Sequence, residues 1–363
     1  MKKLLMIILS LSILSCNNKN NQNIQYINQD NNETINYYDV IYLANTNSGE
    51  YVNAEISYDN TNNLGYIIYS DTNQDTVLYN IEKIGEIDEG NIYAKSTDNR
   101  ILEGNLPSIS YTFKAKIDGM EHYFNTVNTN IKEINIIEYS FSDTSTNNKE
   151  DRSFNYKNSI FIIKNDKNDN IINKINMDIN KHFNIKDVSI LNDDSKRNDI
   201  YTYIKRDMEN EYNIWNNEQN IYNMEILANR YAIDYISDDI ISINNFVYEY
   251  SGGAHGNYST IYKVYSLKTG DKINIEDIII DVNNQDLINI IKQKLLQIRD
   301  NKLYFNLDDI SLEGNNFYIT AKGIVFTWGI YEIAPYSEGE TRILLSKNEI
   351  NNFLKEEYKS IIK

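Results

Sequence analysis

Apolar and polar residues alternate with a period of two through the first third of the chain. Val52, Ala54 and Ile56 alternate ahead of a polar run at 59–63, and Tyr66, Ile68 and Tyr69 precede a second polar run at 70–75. Residues 77–81, 91–95 and 108–116 repeat the pattern, the last with Tyr111, Phe113 and Ala115 on one face. Successive side chains of a strand point to opposite faces, so this period predicts strands, and the polar runs predict turns. Asp88-Glu89-Gly90 and Asp118-Gly119 suit hairpin connections. The expectation for residues 36–128 is an antiparallel β meander or small barrel.

The period changes from about residue 135 onward. Ile171, Ile175, Ile179 and Phe183 fall four apart and make one apolar stripe of a helix. Asn283 or Asn284 is placed to cap a second helix with the stripe Leu287, Ile291, Leu295 and Ile298. Ser346-Lys347-Asn348-Glu349 is a capping-box pattern that leads into Ile350, Phe353, Leu354 and Tyr358. A weaker pattern predicts a further helix over 201–219. Between these lie strand patterns at 240–250, 258–266, 317–321, 324–331 and 341–345, with turns at Lys268-Thr269-Gly270-Asp271 and Lys322-Gly323. The fold class read from this mixture is α+β, and residues 135–363 are expected to form an antiparallel sheet with helices on one face.

The N-terminus carries a different signal. Lys2 and Lys3 precede an apolar run at 4–14, and Ser15 stands directly before Cys16. So short a run does not reach across roughly 30 Å of hydrocarbon as a helix, which makes it a secretion signal over residues 1–15. Ile13-Leu14-Ser15-Cys16 resembles a bacterial lipobox, which implies cleavage before Cys16, lipid on its sulfur and a membrane anchor on the extracytoplasmic side. Residues 16–35 are rich in Asn, Gln and Asp with few apolar residues, and are expected to be a tether between anchor and folded chain.

Charge and composition narrow the partners. The formal net charge is -17, and loss of Lys2 and Lys3 with the signal makes it -19 (-17 minus 2). Such a surface repels phosphate backbones, so no nucleic acid is expected, and it favours encounter with cationic partners. Cys16 is the one cysteine of the 363 residues, so no disulfide forms within the chain. The many Asn, Ile, Tyr and Lys residues fit an AT-rich coding sequence and carry little functional weight singly.

Candidate chemistry gathers in two segments. Tyr248-Glu249-Tyr250-Ser251-Gly252-Gly253-Ala254-His255-Gly256 packs three glycines and one of three histidines into a short turn. Tyr331-Glu332-Ile333-Ala334-Pro335-Tyr336 carries one of two prolines and is followed by Gly339. The glycines allow positive φ, and Pro335 fixes its own φ and pushes Ala334 extended. His255 is read either as a loop-former bonded to backbone or as a contact residue. Trp328 is expected in the core. The three histidines are scattered and no H-E-x-x-H occurs, so no metal site is expected. No G-x-S-x-G elbow, phosphate loop or dinucleotide fingerprint occurs, so no cofactor and no enzymatic activity are expected. Asp71, Asn73, Asp75 and Glu82 have calcium-loop spacing, but Thr76 stands where the loop needs glycine, and the site is rejected.

With both segments in view, residues 135–363 resemble the RsiV-like family of extracytoplasmic domains. Tyr248, Tyr250, Gly252, Gly253, Ala254, His255, Gly256, Thr269 and Gly270 match its first half. Gly323, Tyr331, Glu332, Ile333, Ala334, Pro335, Tyr336 and Gly339 match its second. Ser337-Glu338 and Leu344-Leu345 depart from the pattern. The family includes the outer domain of an anti-sigma factor that binds lysozyme and a module attached to a peptidoglycan deacetylase. The resemblance implies a binding architecture for a cationic hydrolase such as lysozyme, or for peptidoglycan, and brings no catalytic residues. It marks Tyr250, Gly252, Gly253, His255, Tyr331, Glu332, Pro335 and Tyr336 as candidate partner contacts. The rival expectations are a glycan-modifying enzyme using His255 and a structural envelope protein.

Overall fold

The computed structural model describes the strands of residues 25–145 together with 152–163, 169–218, 220–299, 303, 307, 310–314, 316–320 and 322–362. The expected secretion signal, Cys16, the expected hairpin bends at 88–90 and 118–119 and the rejected calcium spacing at Asp71, Asn73 and Asp75 lie outside the described residues.

Strand succeeds strand through the first part: β1 (Gln25–Ile27), β2 (Glu33–Thr46), β3 (Tyr51–Asp59), β4 (Leu64–Ser70), β5 (Thr76–Ile84), β6 (Asn91–Ser96), β7 (Ile101–Asn105), β8 (Thr112–Ile117) and β9 (Met120–Ser145). From β2 to β8 each strand pairs antiparallel with its successor or, for β2, also with β9. Residues 122–125 of β9 pair with β2 on one side and β8 on the other. The meander therefore closes on itself into a barrel, which removes both sheet edges. One expectation changes here. Gln25–Ile27, inside the stretch read as a tether, pairs antiparallel with residues 140–142 of β9. β9 extends beyond the barrel and offers a free edge there, and Tyr26 and Ile27 are strand formers in an otherwise polar run.

β9 runs unbroken through residues 129–134, and its second half pairs antiparallel with β10 (Arg152–Ile163). The same strand thus belongs to the barrel and to the sheet that follows. The chain then crosses over through α1 (Asn170–Ile179), 3-10 turns and α2 (Arg197–Asn217) to β11 (Asn223–Ile236), which pairs parallel with β10. That parallel pair departs from an all-antiparallel expectation, because two parallel neighbours need a long crossover and the two helices supply it. β12 (Ile240–Tyr250), β13 (Asn257–Ser266) and the short β14 (Lys272–Ile273) continue antiparallel. Helices α1 and α2 cover one face of this sheet. Ile175 and Ile179 of α1 pack with Phe161, Tyr231, Ile241 and Tyr265, and Ile204, Met208 and Trp215 of α2 pack with Phe154, Tyr156 and Ile226.

After α3 (Ile275–Ile278) and α4 (Gln285–Arg299), a separate three-stranded antiparallel sheet forms from β15 (Asn316–Thr320), β16 (Gly323–Trp328) and β17 (Thr341–Ser346). The amide NH groups of Asp286 and Leu287 donate to Asn284 Oδ1, so Asn284 is the cap of α4. Leu287, Ile291 and Leu295 of that helix pack on Phe317, Ile319, Phe326 and Ile343. The other face of the small sheet meets β13 and the barrel, where Leu78 of β5 packs with Tyr262, Tyr318, Val325 and Leu344. Ser346 and Glu349 form the expected capping box, but α5 (Lys347–Ile350) is one turn long. The chain leaves it because Leu354 bridges to Ile279 and the Ile280 NH donates to Phe353 O, which tertiary pairing favours over a longer helix.

Candidate functional site

The two glycine- and tyrosine-rich segments singled out in the sequence meet in space. β12 and β13 pair directly, Tyr248 opposite Tyr258 and Glu249 opposite Asn257, so residues 251–256 form the tip of a hairpin. Gly252 (φ +113°) and Gly253 (φ +94°) take the positive values that bend the tip back. Gly256 is needed for closeness rather than angle: a Cβ there would lie 2.5 Å from the Tyr248 ring.

The second loop comes from the small sheet. β16 ends at Trp328 rather than continuing to Tyr331, because a tight turn intervenes. The Gly329 NH donates to Glu332 Oε2 at 2.8 Å, and the Glu332 NH donates to Gly329 O. Tyr331 sits in that turn at φ +64°, left-handed for a residue with a side chain, a strain of about 1–2 kcal/mol. Trp328 is buried in the core as expected, and Ile333 and Ala334 are buried beside it. Pro335 caps a 3-10 turn that presents Tyr336.

Tyr336 joins the loops. Its hydroxyl donates to Gly256 O at 3.0 Å, and its ring stacks on His255 with centroids 3.9 Å apart. His255 Nδ1 donates to Gly256 O at 3.0 Å, which leaves Nε2 as the acceptor facing the Tyr331 hydroxyl at 3.5 Å. Tyr250 donates to Gly253 O at 3.1 Å, and Tyr258 meets Tyr336 edge-on with centroids at 5.8 Å. His255 is therefore a loop-former bonded to backbone, and it is exposed as well. Tyr331 is 56% exposed and Glu332 is exposed. Burial pushes the Tyr258 phenol up, helped by Glu340, and does the same to Tyr248, helped by Glu225. Both rings stay neutral hydroxyl donors at neutral pH.

A polar cluster missed in the sequence lies on the opposite, helix-bearing face of the same sheet. Tyr156 and Asn158 of β10 both donate to Asp207 Oδ2 of α2, at 2.6 and 2.8 Å. Asn229 Nδ2 of β11 donates to Asn158 Oδ1 at 3.0 Å and to His182 Nε2 at 2.8 Å. Asn245 Nδ2 of β12 donates to Asn229 Oδ1 at 2.9 Å. Asn229 lies in a register shift between β11 and β12 with φ +54°. His182 is exposed as a residue, with its ring on Phe183 and its Nε2 against Asn229. Desolvation by these neighbours pushes its pKa down to about 4, against the opposing pull of Asp207. In a chain so rich in Asn, three more asparagines carried no signal. The usable clue is position, since Asn158 stands between Tyr156 and Ile160, and Asn245 between Ile243 and Val247, on one face of their strands.

Comparison with known proteins bears on the last part of the chain. Residues 276–348 match the family model described as "Protein of unknown function (DUF3298)". That span includes the second loop and begins after the hairpin of His255, whose residues 251–256 lie outside it. A solved DUF3298 member from Bacteroides fragilis is similar at 17% identity and a TM-score of 0.46, over 64% of this chain and 98% of its own. A DUF3298 protein from Pseudomonas aeruginosa is similar at 12% identity and a TM-score of 0.39, over 61% of this chain and 94% of its own. No curated protein matches the chain.

Proposed function

We propose that this protein is a lipid-anchored extracytoplasmic binding module whose contact surface is the aromatic cluster of His255, Tyr331 and Tyr336. The observation that carries the reading is Tyr331, a large ring 56% exposed and held by a strained turn against a stacked histidine. A side chain already fixed loses little freedom on binding, and exposed tyrosines at rigid positions make good anchors. Tyr250, Gly252 and Gly253 shape the hairpin beneath it, and Glu332 and Pro335 shape the turn that carries it.

The RsiV-like pattern of the two loops and the lipobox-like Cys16 supply the setting. A lipid on Cys16 holds the module at the extracytoplasmic face of a membrane, and its acidic surface favours a cationic partner. A basic envelope hydrolase such as lysozyme is the first partner to test, and peptidoglycan the second. The module binds without turnover.

The test is retention of the full chain on immobilised lysozyme at low and high salt, beside retention on purified peptidoglycan. Binding at low salt that weakens with salt and is lost in Tyr331→Ala is expected. No retention on lysozyme even at low salt would sink the lysozyme version. Release of soluble fragments from peptidoglycan, abolished in a folded His255→Ala variant, would replace binding with enzymatic glycan modification.

A further inference from the structure

The chain enters the fold at one end of the large sheet. Gln25 of β1, Ser142 of β9, Asn155 of β10, Glu225 of β11 and Tyr250 of β12 stand in one row. Counting back from Gln25 toward Cys16 leads along β9 in the direction of Ser145, since β1 and β9 run antiparallel. In the same direction β12 runs out into the hairpin tip at 251–256. Four strand spacings, roughly 19 Å in all, separate β1 from β12. The barrel strands β2 and β8 pair with β9 between Met120 and Ile136, toward the other end.

The length of chain before β1 limits where an anchor can lie. Nine residue steps separate Cys16 from Gln25 (25 minus 16), and such a chain reaches at most about 30 Å in any conformation. β12 has 11 residues, which is about 34 Å of strand. A membrane beyond the turn at Lys268 and Thr269, at the far end of the sheet, is out of reach of a lipid on Cys16. One at the hairpin end is within it. That end also presents apolar side chains from a fixed segment. Arg152 donates to the carbonyls of Trp215, Glu218 and Ile221, and the Ser153 NH donates to Tyr222 O. Ile214 is 49% and Tyr222 51% exposed. Tyr222 precedes Asn223, which pairs with Ser153 two rows beyond Tyr250 in the direction of the tip.

Given a lipid on Cys16, as read above, we propose that the hairpin end of the sheet faces the membrane and that Ile214 and Tyr222 rest on the headgroup region of a neutral bilayer. Singly exposed apolar residues are ordinary on any surface. Here two of them stand on one fixed segment, at the one end of the sheet that the anchor can reach. An amphipathic ring such as that of Tyr222 suits the headgroup level. The net charge of -17 repels anionic headgroups, so the contact is apolar and does not depend on salt. His255, Tyr331 and Tyr336 stand at the same end, so a partner held there lies close to the bilayer surface.

The test uses the lipidated chain, purified from cells and reconstituted in phosphatidylcholine vesicles. Cys16 is the one cysteine and its sulfur is blocked by the lipid. Asn220→Cys beside Tyr222, or Lys268→Cys at the far turn, both exposed positions, therefore gives a single site for a fluorescent label. Energy transfer to a headgroup-labelled lipid is expected to be severalfold stronger from position 220 than from 268, at low and high salt alike. Adding Ile214→Ser and Tyr222→Ser should lower the transfer from 220. Equal transfer from the two positions, or stronger transfer from 268, overturns the proposal. Unchanged transfer from 220 in the serine variant also overturns it, since the tether alone then sets the distance. The mass of the N-terminal fragment decides the anchor separately. An unmodified Cys16 removes anchor and contact together, whereas a lipidated Cys16 with equal transfer removes the contact alone.

Discussion

Two glycines that look alike in sequence are required for different reasons, and the difference predicts how substitutions there behave. At Gly323 a Cβ would collide with the backbone oxygen of Leu345 in the partner strand. Neither strand can withdraw without losing its pairing, so Gly323→Ala should lower stability by about 3 kcal/mol, the upper end for overpacking, as measured by urea unfolding. At Gly253 the space is open and only the positive φ is at issue. Gly253→Ala should lower stability by about 1–2 kcal/mol and act mainly on the hairpin tip and on whatever docks there. His182 supplies a residue-scale pH effect. Its native pKa near 4 lies below the ordinary 6.5, so the unfolded chain takes up a proton first as pH falls. Stability attached to His182 is therefore present above 6.5 and lost as pH drops from 6.5 toward 4. His182→Gln, which keeps an acceptor for Asn229, should flatten the slope of stability against pH across that window.

At the scale of elements, the helices show how much a pattern of spacing can carry. α4 follows from its spacing, with Asn283 or Asn284 open as the cap and Asn284 taking that place, because a cap and a four-residue apolar stripe require nothing beyond the helix itself. α5 was predicted with its capping box but ends after one turn, since the residues after it gain more from contacts with the segment after α3 than from further helical bonds. Glu349 holds its carboxyl below the usual range although burial opposes this, because Lys294 and the Ser346 NH and hydroxyl outweigh the burial. Ser346→Ala removes one of those hydrogen bonds and should cost about 1 kcal/mol. The loss should diminish in acid as Glu349 is protonated. Thermal melts of the two chains at neutral and acid pH check both statements.

At the scale of the molecule, β9 and Leu78 tie the barrel to the rest. β9 serves as a wall of the barrel and then as a strand of the sheet. Leu78 of β5 fills a cluster contributed by β13 and the three-stranded sheet. A carboxylate placed there would be buried against Tyr262, Tyr318, Val325 and Leu344, away from water, which is expensive. Leu78→Asp should lower stability by at least about 3 kcal/mol and split a single unfolding transition into two. A single transition at unchanged midpoint would show instead that the contact is of little consequence. The DUF3298 match at 276–348 covers α3, α4 and the small sheet, the part against which Leu78 packs.

What the sequence determined by itself was local. Period two gave the strands of the barrel, period four gave α1 and α4, and the glycines of the hairpin tip announced backbone angles that only glycine takes readily. These depend on neighbours within a few residues, and neighbours are legible in a sequence. Only the tertiary structure decided what is non-local. The closing of β9 onto β2 and β8, the parallel pairing of β10 and β11, and the early end of α5 depend on segments far apart in the chain. The meeting of His255 with Tyr331 and Tyr336 was open in the sequence, since two tight loops need not touch, and it is fixed by the small sheet packing across β13. The buried asparagine cluster was hidden for the same reason. An asparagine in a strand looks alike whether it faces water or its own kind, and only the register of three strands brings Asn158, Asn229 and Asn245 together.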